Sequence, residues 1–185
     1  MIDLRFMATI AACLLPACSV NDDHTESVVV DASAINSTTG EVGPIAVGMS
    51  LSEIRATGVD YSLGSVFLEG DEYQTIEYVI EGAPVIALLN HDDSIDRLQV
   101  GSDALVDQYG LGVGVAFEQV ASAYPMGRSI IEFADGKVAN YVTGTHLIFE
   151  FDADQLAEEC FYQEIACTLE GLVVTGLIVS VYQPR

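Results

Sequence analysis

Basic side chains are scarce in this sequence. Its 185 residues contain six Lys and Arg against 28 Asp and Glu, which gives a formal net charge of −22 at pH 7. A protein that holds nucleic acid or adsorbs directly to anionic lipid needs a basic face. The composition argues against a nucleic-acid partner. It leaves three interpretations of the acidity: solubility, a basic protein partner, or divalent cations.

Motifs that carry catalysis are also missing. The sequence has no P-loop, no dinucleotide fingerprint and no H-E-x-x-H. The stretch "GMSLS" around Ser50 lacks the second glycine of a nucleophile elbow. The histidines fall in three separate segments, with His24 in a polar stretch, His91 in a turn and His146 at the start of a strand. We therefore predict no catalytic residue, no cofactor and no enzymatic activity.

One acidic turn has part of the pattern of a calcium loop. Four oxygen-bearing side chains alternate between Asn90 and Asp96 with the spacing of the first four ligands. The sixth position is Ile95 and the twelfth is Gly101, where the loop requires Gly and Glu. We expect a hairpin turn here and predict no metal site.

No apolar run at the start of the chain is long enough to span a bilayer. Residues 6 to 17 carry no charge, but twelve residues fall short of the roughly 20 that a span needs and fit the apolar region of a signal peptide. The sequence Leu15-Pro16-Ala17-Cys18 then resembles a bacterial lipobox. An ordinary secretory signal that leaves Cys18 free, and a cytosolic start, are the alternatives.

The lipobox resemblance implies that residues 1–17 are a signal peptide and that Cys18 becomes the lipidated first residue. It would carry diacylglycerol on its sulfur and a fatty acid such as palmitate on its amino group, and two acyl signals already suffice for stable anchoring. The next residue is Ser19 rather than Asp. This points to the outer membrane of a Gram-negative cell, at its periplasmic face or at the cell surface.

Two of the four cysteines remain after this assignment. Cys13 leaves with the signal peptide, Cys18 becomes the anchor, and Cys160 and Cys167 form an even pair in an oxidising compartment. Their short loop allows a bridge if the Cα atoms lie within about 7 Å. Two thiols without a nearby His make a poor zinc site, and a redox pair is more often C-x-x-C. We predict a structural disulfide.

The chain beyond Cys18 divides into a tether and one domain. Residues 18–40 are rich in Ser, Thr, Asn and Asp and are predicted to be a polar tether, although "VVVDASAI" at 28–35 could add an edge strand. Residues 41–185 form the predicted domain, which is long enough to bury a core.

The domain contains an internal repeat, at about 43–102 and 109–181. "GPIAVGMSLSEIRATG" aligns with "YGLGVGVAFEQVASAYP", so that Gly48 matches Gly114 at a distance of 66 residues. Each unit is predicted to be a short strand, a glycine turn, a helix and antiparallel strands, with an insertion around the cysteine pair in the second unit. We predict an α+β fold with two helices packed on one face of a mainly antiparallel sheet.

The two predicted helices differ at their first turn. Ser50 and Glu53 have the S-x-x-E spacing of a capping box, in which each side chain bonds the other residue's backbone N–H. The second helix has Ala116 at the equivalent position and therefore lacks this cap. Its apolar stripe runs from Phe117 to Tyr124 at helical spacing, and Pro125 ends it.

The order of these segments resembles a known family. "IDRLQVGSD", "YGLGVGVAFEQVASAYP" and "VTGLIVSVY", with a cysteine pair in the last third, are similar to the sigma-E-regulated envelope lipoproteins of enterobacteria. The resemblance implies an outer-membrane lipoprotein of unknown biochemical function. The duplicated unit is also similar in architecture to β-lactamase inhibitor proteins and to the small lipoprotein of the outer-membrane assembly machine, which are protein-binding modules.

These observations lead to two expectations of function. The first is a non-enzymatic envelope lipoprotein that binds another protein and is linked to outer-membrane homeostasis or stress. The alternative is a lipoprotein that binds a small ligand or a divalent cation. An enclosed apolar pocket would indicate a ligand carrier, whereas an exposed apolar patch would indicate a protein-binding module.

Overall fold

The computed structural model describes residues 35–68, 70–134, 136–162 and 165–181. The strands are β1 Ile35–Asn36, β2 Glu41–Val42, β3 Ile45–Ala46, β4 Tyr61–Leu68, β5 Asp71–Ile80, β6 Ala83–Leu89, β7 Ile95–Val100, β8 Arg128–Phe133, β9 Lys137–Val142, β10 Leu147–Phe151 and β11 Val174–Ser180. The α-helices are α1 Leu51–Thr57 and α2 Phe117–Ala123, and 3₁₀ turns occur at Ala153–Gln155 and Glu158–Cys160.

The strands form one large and one small antiparallel sheet. The large sheet has eight strands in the order β4-β5-β6-β7-β11-β10-β9-β8, and the small sheet has the order β1-β2-β3. Each half of the large sheet is a four-stranded meander that follows one helix. The α+β class and the tandem unit predicted from the sequence are confirmed.

The two halves meet at β7 and β11 in a register that is symmetric. Leu98 pairs with Val179, and Leu177 pairs with Val100. Because Leu98 and Leu177 are equivalent in the aligned repeats, exchanging the halves maps one pair onto the other. The halves are therefore related by a pseudo-twofold axis that passes between these central strands.

The turns that lead into the helices correspond in detail. Gly48 and Gly114 have φ angles of 84° and 87°, in the left-handed region that glycine adopts without strain. The Gly48 N–H donates to the Ile95 carbonyl at 2.7 Å, and the Gly114 N–H donates to the Val174 carbonyl at 2.8 Å. Each bond ties a helix entry to the last strand of its own half.

The first turn of α1 has the capping box. The Ser50 hydroxyl accepts from the Glu53 N–H at 3.4 Å, and the Glu53 carboxylate accepts from the Ser50 N–H at 2.8 Å. Gly58 ends the helix with a φ angle of 76°. At the start of α2, Ala116 makes no side-chain cap bond.

The core lies between the helices and one face of the large sheet. Alternate side chains of the inner strands point into it, and Ile54 of α1 and Val120 of α2 are buried against them. Phe117 makes edge contacts with Tyr141 and Phe151, at centroid distances of 5.5 and 5.8 Å. The opposite face of the sheet has no helix over it within the described chain.

The fold begins earlier than the sequence predicted. Residues 35 to 40 were assigned to the tether, but Ile35 is fully buried and its N–H donates to the Val106 carbonyl at 2.8 Å. Residues 35 to 40 therefore belong to the fold and not to the predicted tether. The rest of the stretch at 28–35 falls outside the described residues. Within the described residues, neither α1 nor α2 is long and apolar enough to cross a membrane.

Candidate functional site

The predicted disulfide is present in the connection between β10 and β11. Cys160 and Cys167 are bonded, with Cα atoms 5.6 Å apart. The equivalent connection in the first half, between β6 and β7, is the tight turn that spans 90 to 94. The disulfide therefore lies in a segment, residues 152 to 173, that only the second half contains. We call this segment the insertion.

The insertion covers the free end of the β8–β9 hairpin. Tyr162 stacks on Phe133 with ring centroids 5.8 Å apart and an angle of 18° between the rings. Lys137 lies over the Phe161 ring at 5.5 Å, and its ammonium is 3.6 Å from the Asp154 carboxylate. Aromatic stacking and a charge pair together hold the insertion on the hairpin.

No other described segment covers the equivalent hairpin end in the first half. Phe67 precedes Phe133 by 66 residues and pairs across its hairpin with Glu72, as Phe133 pairs with Lys137. Phe67 is 72% exposed and Leu63 is 61% exposed. Both lie on the helix side of the sheet, because Leu63 pairs with the core residue Ile76 and Phe67 follows it by four residues.

The name β4–β5 end is used here for Leu63, Phe67, Glu72 and Gln74. An open hollow lies along three of them, Leu63, Glu72 and Gln74. Large apolar side chains this exposed are typical of surfaces that contact another molecule when they are grouped together. The grouping makes this end the strongest candidate for a binding surface among the described residues.

Strand β4 also presents an unprotected sheet edge. Its eight residues, YSLGSVFL, contain neither a charged residue nor proline. Edge strands usually carry such residues to prevent pairing with another chain. Strand β8, at the opposite edge of the same sheet, does carry Arg128 and Glu132.

The turn with the partial calcium pattern is organised by its own side chains. The Asn90 amide oxygen accepts from the backbone N–H groups of Asp92 and Ser94, at 2.9 and 3.1 Å. These bonds close a tight hairpin turn. Within the described residues no three His, Cys, Asp or Glu side chains are grouped as a metal site would require.

The other acidic side chains with altered pKa values have structural roles or lie on the open face. The hydrogen bond from the Ser50 N–H lowers the pKa of Glu53, and one from the Gly171 N–H lowers the pKa of Glu118. Glu118 thereby ties α2 to the insertion at 2.8 Å. Sequence reasoning missed this bond, because nothing in the spacing of the two residues indicates it.

Two charged side chains approach each other on the open face of the sheet. Burial raises the pKa of the Glu150 carboxyl, and the positive charge of Arg97 partly opposes that rise. The Nε atom of Arg97 is buried and has no hydrogen-bond partner among the described residues. Burial of this pair carries a cost in desolvation.

A buried carboxylate joins the loop between the halves to α2. Asp107 accepts from the Tyr124 hydroxyl at 2.6 Å and from the backbone N–H groups of Tyr109 and Leu111. Burial is the main cause of the raised pKa of Tyr124, with the bond to Asp107 second. Both carboxylate oxygens of Asp107 accept hydrogen bonds from the fold, so the cluster is structural.

The remaining residues singled out in the sequence fall into two groups. His146 is structural, since its Nδ1 lies 2.7 Å from the Ser180 carbonyl oxygen and its N–H donates to Ser37. Cys18 and His24 lie outside the described residues. The capping residues and the two turn glycines position the helices and are not part of the β4–β5 end.

The geometry defines a two-repeat α+β domain with a four-stranded meander in each half. A solved structure, that of the uncharacterized protein YfeY from Escherichia coli, is similar to it with a TM-score of 0.51 and 15% sequence identity, covering 80% of this chain and 97% of that one. The likeness shows a shared fold. No family model and no curated protein matches the chain.

Proposed function

We propose that this protein is a lipid-anchored lipoprotein of the bacterial envelope, without enzymatic activity, that binds another protein. The observation that supports binding is the uncharged edge strand β4 with Leu63 and Phe67 exposed beside it. An exposed strand edge offers backbone hydrogen bonds, and adjacent apolar side chains offer burial, which together are a common mode of peptide recognition.

The proposed location follows from the start of the sequence. Lipidation at Cys18 would anchor the domain in the outer membrane, as the lipobox resemblance and Ser19 indicate. The resemblance to sigma-E-regulated lipoproteins adds a link to outer-membrane homeostasis or stress. The domain would face the periplasm or the cell surface.

Protein binding is favoured over ligand carriage by the shape of the surface. A small-molecule carrier buries most of its ligand in a concave, largely apolar cavity. The hollows bordered by the described residues, such as the one along Tyr61, Tyr78 and Pro84, are open to solvent. The apolar side chains at the β4–β5 end are arranged along an outer edge of the sheet instead.

Two measurements test this proposal. Mass spectrometry of protein from membranes should find a first residue Cys18 with acyl chains, and an unmodified N-terminal peptide in soluble periplasm would contradict the anchoring. For binding, a photoreactive amino acid is placed in turn at exposed positions 65, 79, 109 and 126 in intact cells. A discrete protein crosslink at one or more positions is expected, and failure at all of them would contradict protein binding.

A further inference from the structure

The two ends of the large sheet differ in one respect that points to a ligand. The insertion covers Phe133 and Lys137 at the end of the second half, and the first half has no insertion. Pseudo-twofold symmetry places Phe67 and Glu72 in the equivalent positions. The described residues thus contain one covered and one uncovered copy of the same surface.

We propose that the β4–β5 end binds a segment of another protein that occupies the space equivalent to the insertion, with an aromatic side chain for Phe67 and a Lys or Arg for Glu72. This rests on the proposed function, and it specifies where the partner binds and what chemistry it presents. The covered copy of the surface serves as the template for the complex.

The aromatic requirement comes from the stack in the second half. Tyr162 lies parallel to Phe133 with centroids 5.8 Å apart, although Phe133 still exposes 54% of its surface. Among the described residues Phe67 has no aromatic partner, and it is more exposed. An incoming aromatic ring would cover Phe67 and the neighbouring Leu63, where the second half has only the small Ser129.

The basic requirement comes from a reversal of charge between the halves. Lys137 of the second half faces the acidic Asp154 of the insertion at 3.6 Å. The residue equivalent to Lys137 is Glu72, so the complementary charge on an incoming segment is positive.

The same charges argue against a second copy of this chain. A second copy that docked its own insertion here would bring Asp154 to Glu72, and two like charges in contact are unfavourable. The net charge of −22 would add a general repulsion between copies. A basic segment of a different protein meets neither obstacle.

Two segments of this sequence outside the described residues, 19–34 and 182–185, do not meet the requirement. Residues 19 to 34 contain no Phe, Tyr, Trp, Lys or Arg. Residues 182 to 185 span about 14 Å when extended. Strand β11 lies four strand positions from β4, and four spacings amount to about 19 Å. A segment of a separate protein therefore fits the requirement better than either of these segments.

The test uses the full lipidated chain in intact cells with a benzoylphenylalanine at Ser65, an exposed position beside Phe67 on the same face. Three variants accompany it: Phe67→Ser, Glu72→Lys, and the control Asp71→Lys. Asp71 is adjacent to Glu72 but lies on the opposite face of the hairpin, so Asp71→Lys makes the same change of charge away from Phe67. Crosslinked peptides are sequenced by mass spectrometry.

The expected result is one crosslinked segment that contains an aromatic residue and a Lys or Arg. Its yield should fall about tenfold with Phe67→Ser and with Glu72→Lys, and it should change less than about twofold with Asp71→Lys. A segment without those residues, a crosslink to a second copy or to lipid, a yield unaffected by either substitution, or an equal loss with Asp71→Lys would overturn the proposal.

The same experiment separates this inference from the proposed function. Protein crosslinks at positions 79, 109 or 126 with none at 65 would overturn the inference and leave protein binding intact. An absence of protein crosslinks at every position would overturn both.

Discussion

Glu150 is a partly buried carboxyl on the open face of the sheet, and its pKa is raised by burial. Its carboxylate lies over Gly176 and occupies the space that a side chain there would need. A Cβ added to Gly176 would lie 2.5 Å from the Oε2 atom of Glu150. Burial disfavours the ionised form and raises the pKa of Glu150, and Arg97 opposes the rise only in part. The native state therefore holds the proton to a higher pH than the unfolded chain does.

This difference makes stability depend on pH. Because the native-state pKa of Glu150 is raised, the wild type loses stability as pH rises from the unfolded pKa near 4.5 through the native value. Glu150→Gln removes this titration. We expect the variant to have the higher free energy of unfolding at pH 7, with the advantage vanishing below about pH 4.

Urea unfolding at several pH values measures this effect. Glu132→Gln, at an exposed position on the same face, is the control for loss of a carboxyl. A Glu150→Gln variant that is less stable than the wild type at pH 7 would show that the carboxylate makes a favourable contact with Arg97 that outweighs its desolvation.

At the scale of elements, the two equivalent helices differ at their N-termini. Helix α1 has side-chain cap bonds and α2 has none. Ser50 has its cap bonds, while Ala116 has extended backbone angles, φ −72° and ψ 145°, and no side-chain acceptor. Gln119 occupies the third helical position of α2, where a capping box uses Glu or Gln.

Opposite changes at these two positions should therefore have opposite effects. We expect Ser50→Ala to lower the free energy of unfolding by about 1 kcal/mol, and Ala116→Ser to raise it by up to about 1 kcal/mol. The measurement is the urea midpoint at constant slope. Unchanged midpoints in both variants would show that packing of the helices against the sheet, and not the caps, determines their stability.

The disulfide belongs to the insertion rather than to the core. Replacing Cys160 and Cys167 with Ser should speed hydrogen exchange in residues 152 to 173 while strands β5 and β6 keep their protection. The bridge closes a loop with a sequence separation of 7, so its loss should cost no more than about 2.5 kcal/mol of unfolding free energy. Equal loss of protection in β5 and β6 would show that the bridge supports the core.

A strand can be predicted from the sequence when its apolar side chains are buried in the core. Strands β5 to β11 can be recognised in the sequence because their alternate or continuous apolar residues enter the core, and the repeat can be recognised from glycines and apolar positions that recur. Strand β4 was not predicted. Its apolar residues Leu63 and Phe67 are exposed and are mixed with Ser and Gly, so no burial pattern identifies it.

The candidate surface could not be predicted for a related reason. It depends on the absence of an insertion in one half, and its significance appears only when Phe67 is compared with Phe133 in three dimensions. The sequence did indicate the extra segment around the cysteine pair. It did not indicate that this segment folds over the end of the β8–β9 hairpin, since the stack of Phe133 on Tyr162 joins distant residues.

At the scale of the whole molecule, duplication has produced two similar halves with different surfaces. The central register of β7 with β11 is symmetric, and so are the glycine turns. The ends of the sheet are not symmetric, because one end is covered by the chain itself. An acidic surface with one uncovered apolar end should bind a basic partner, with an affinity that falls as salt screens the charges.

The comparison of the two ends in the cell tests this account most directly. A benzoylphenylalanine replaces either Phe67 or its repeat equivalent Phe133 in the lipidated protein, and protein crosslink yields are measured under the same conditions. The account predicts a yield at 67 several times that at 133, and a yield at 67 that drops with added salt. Equal yields at the two positions, or a higher yield at 133, would contradict it.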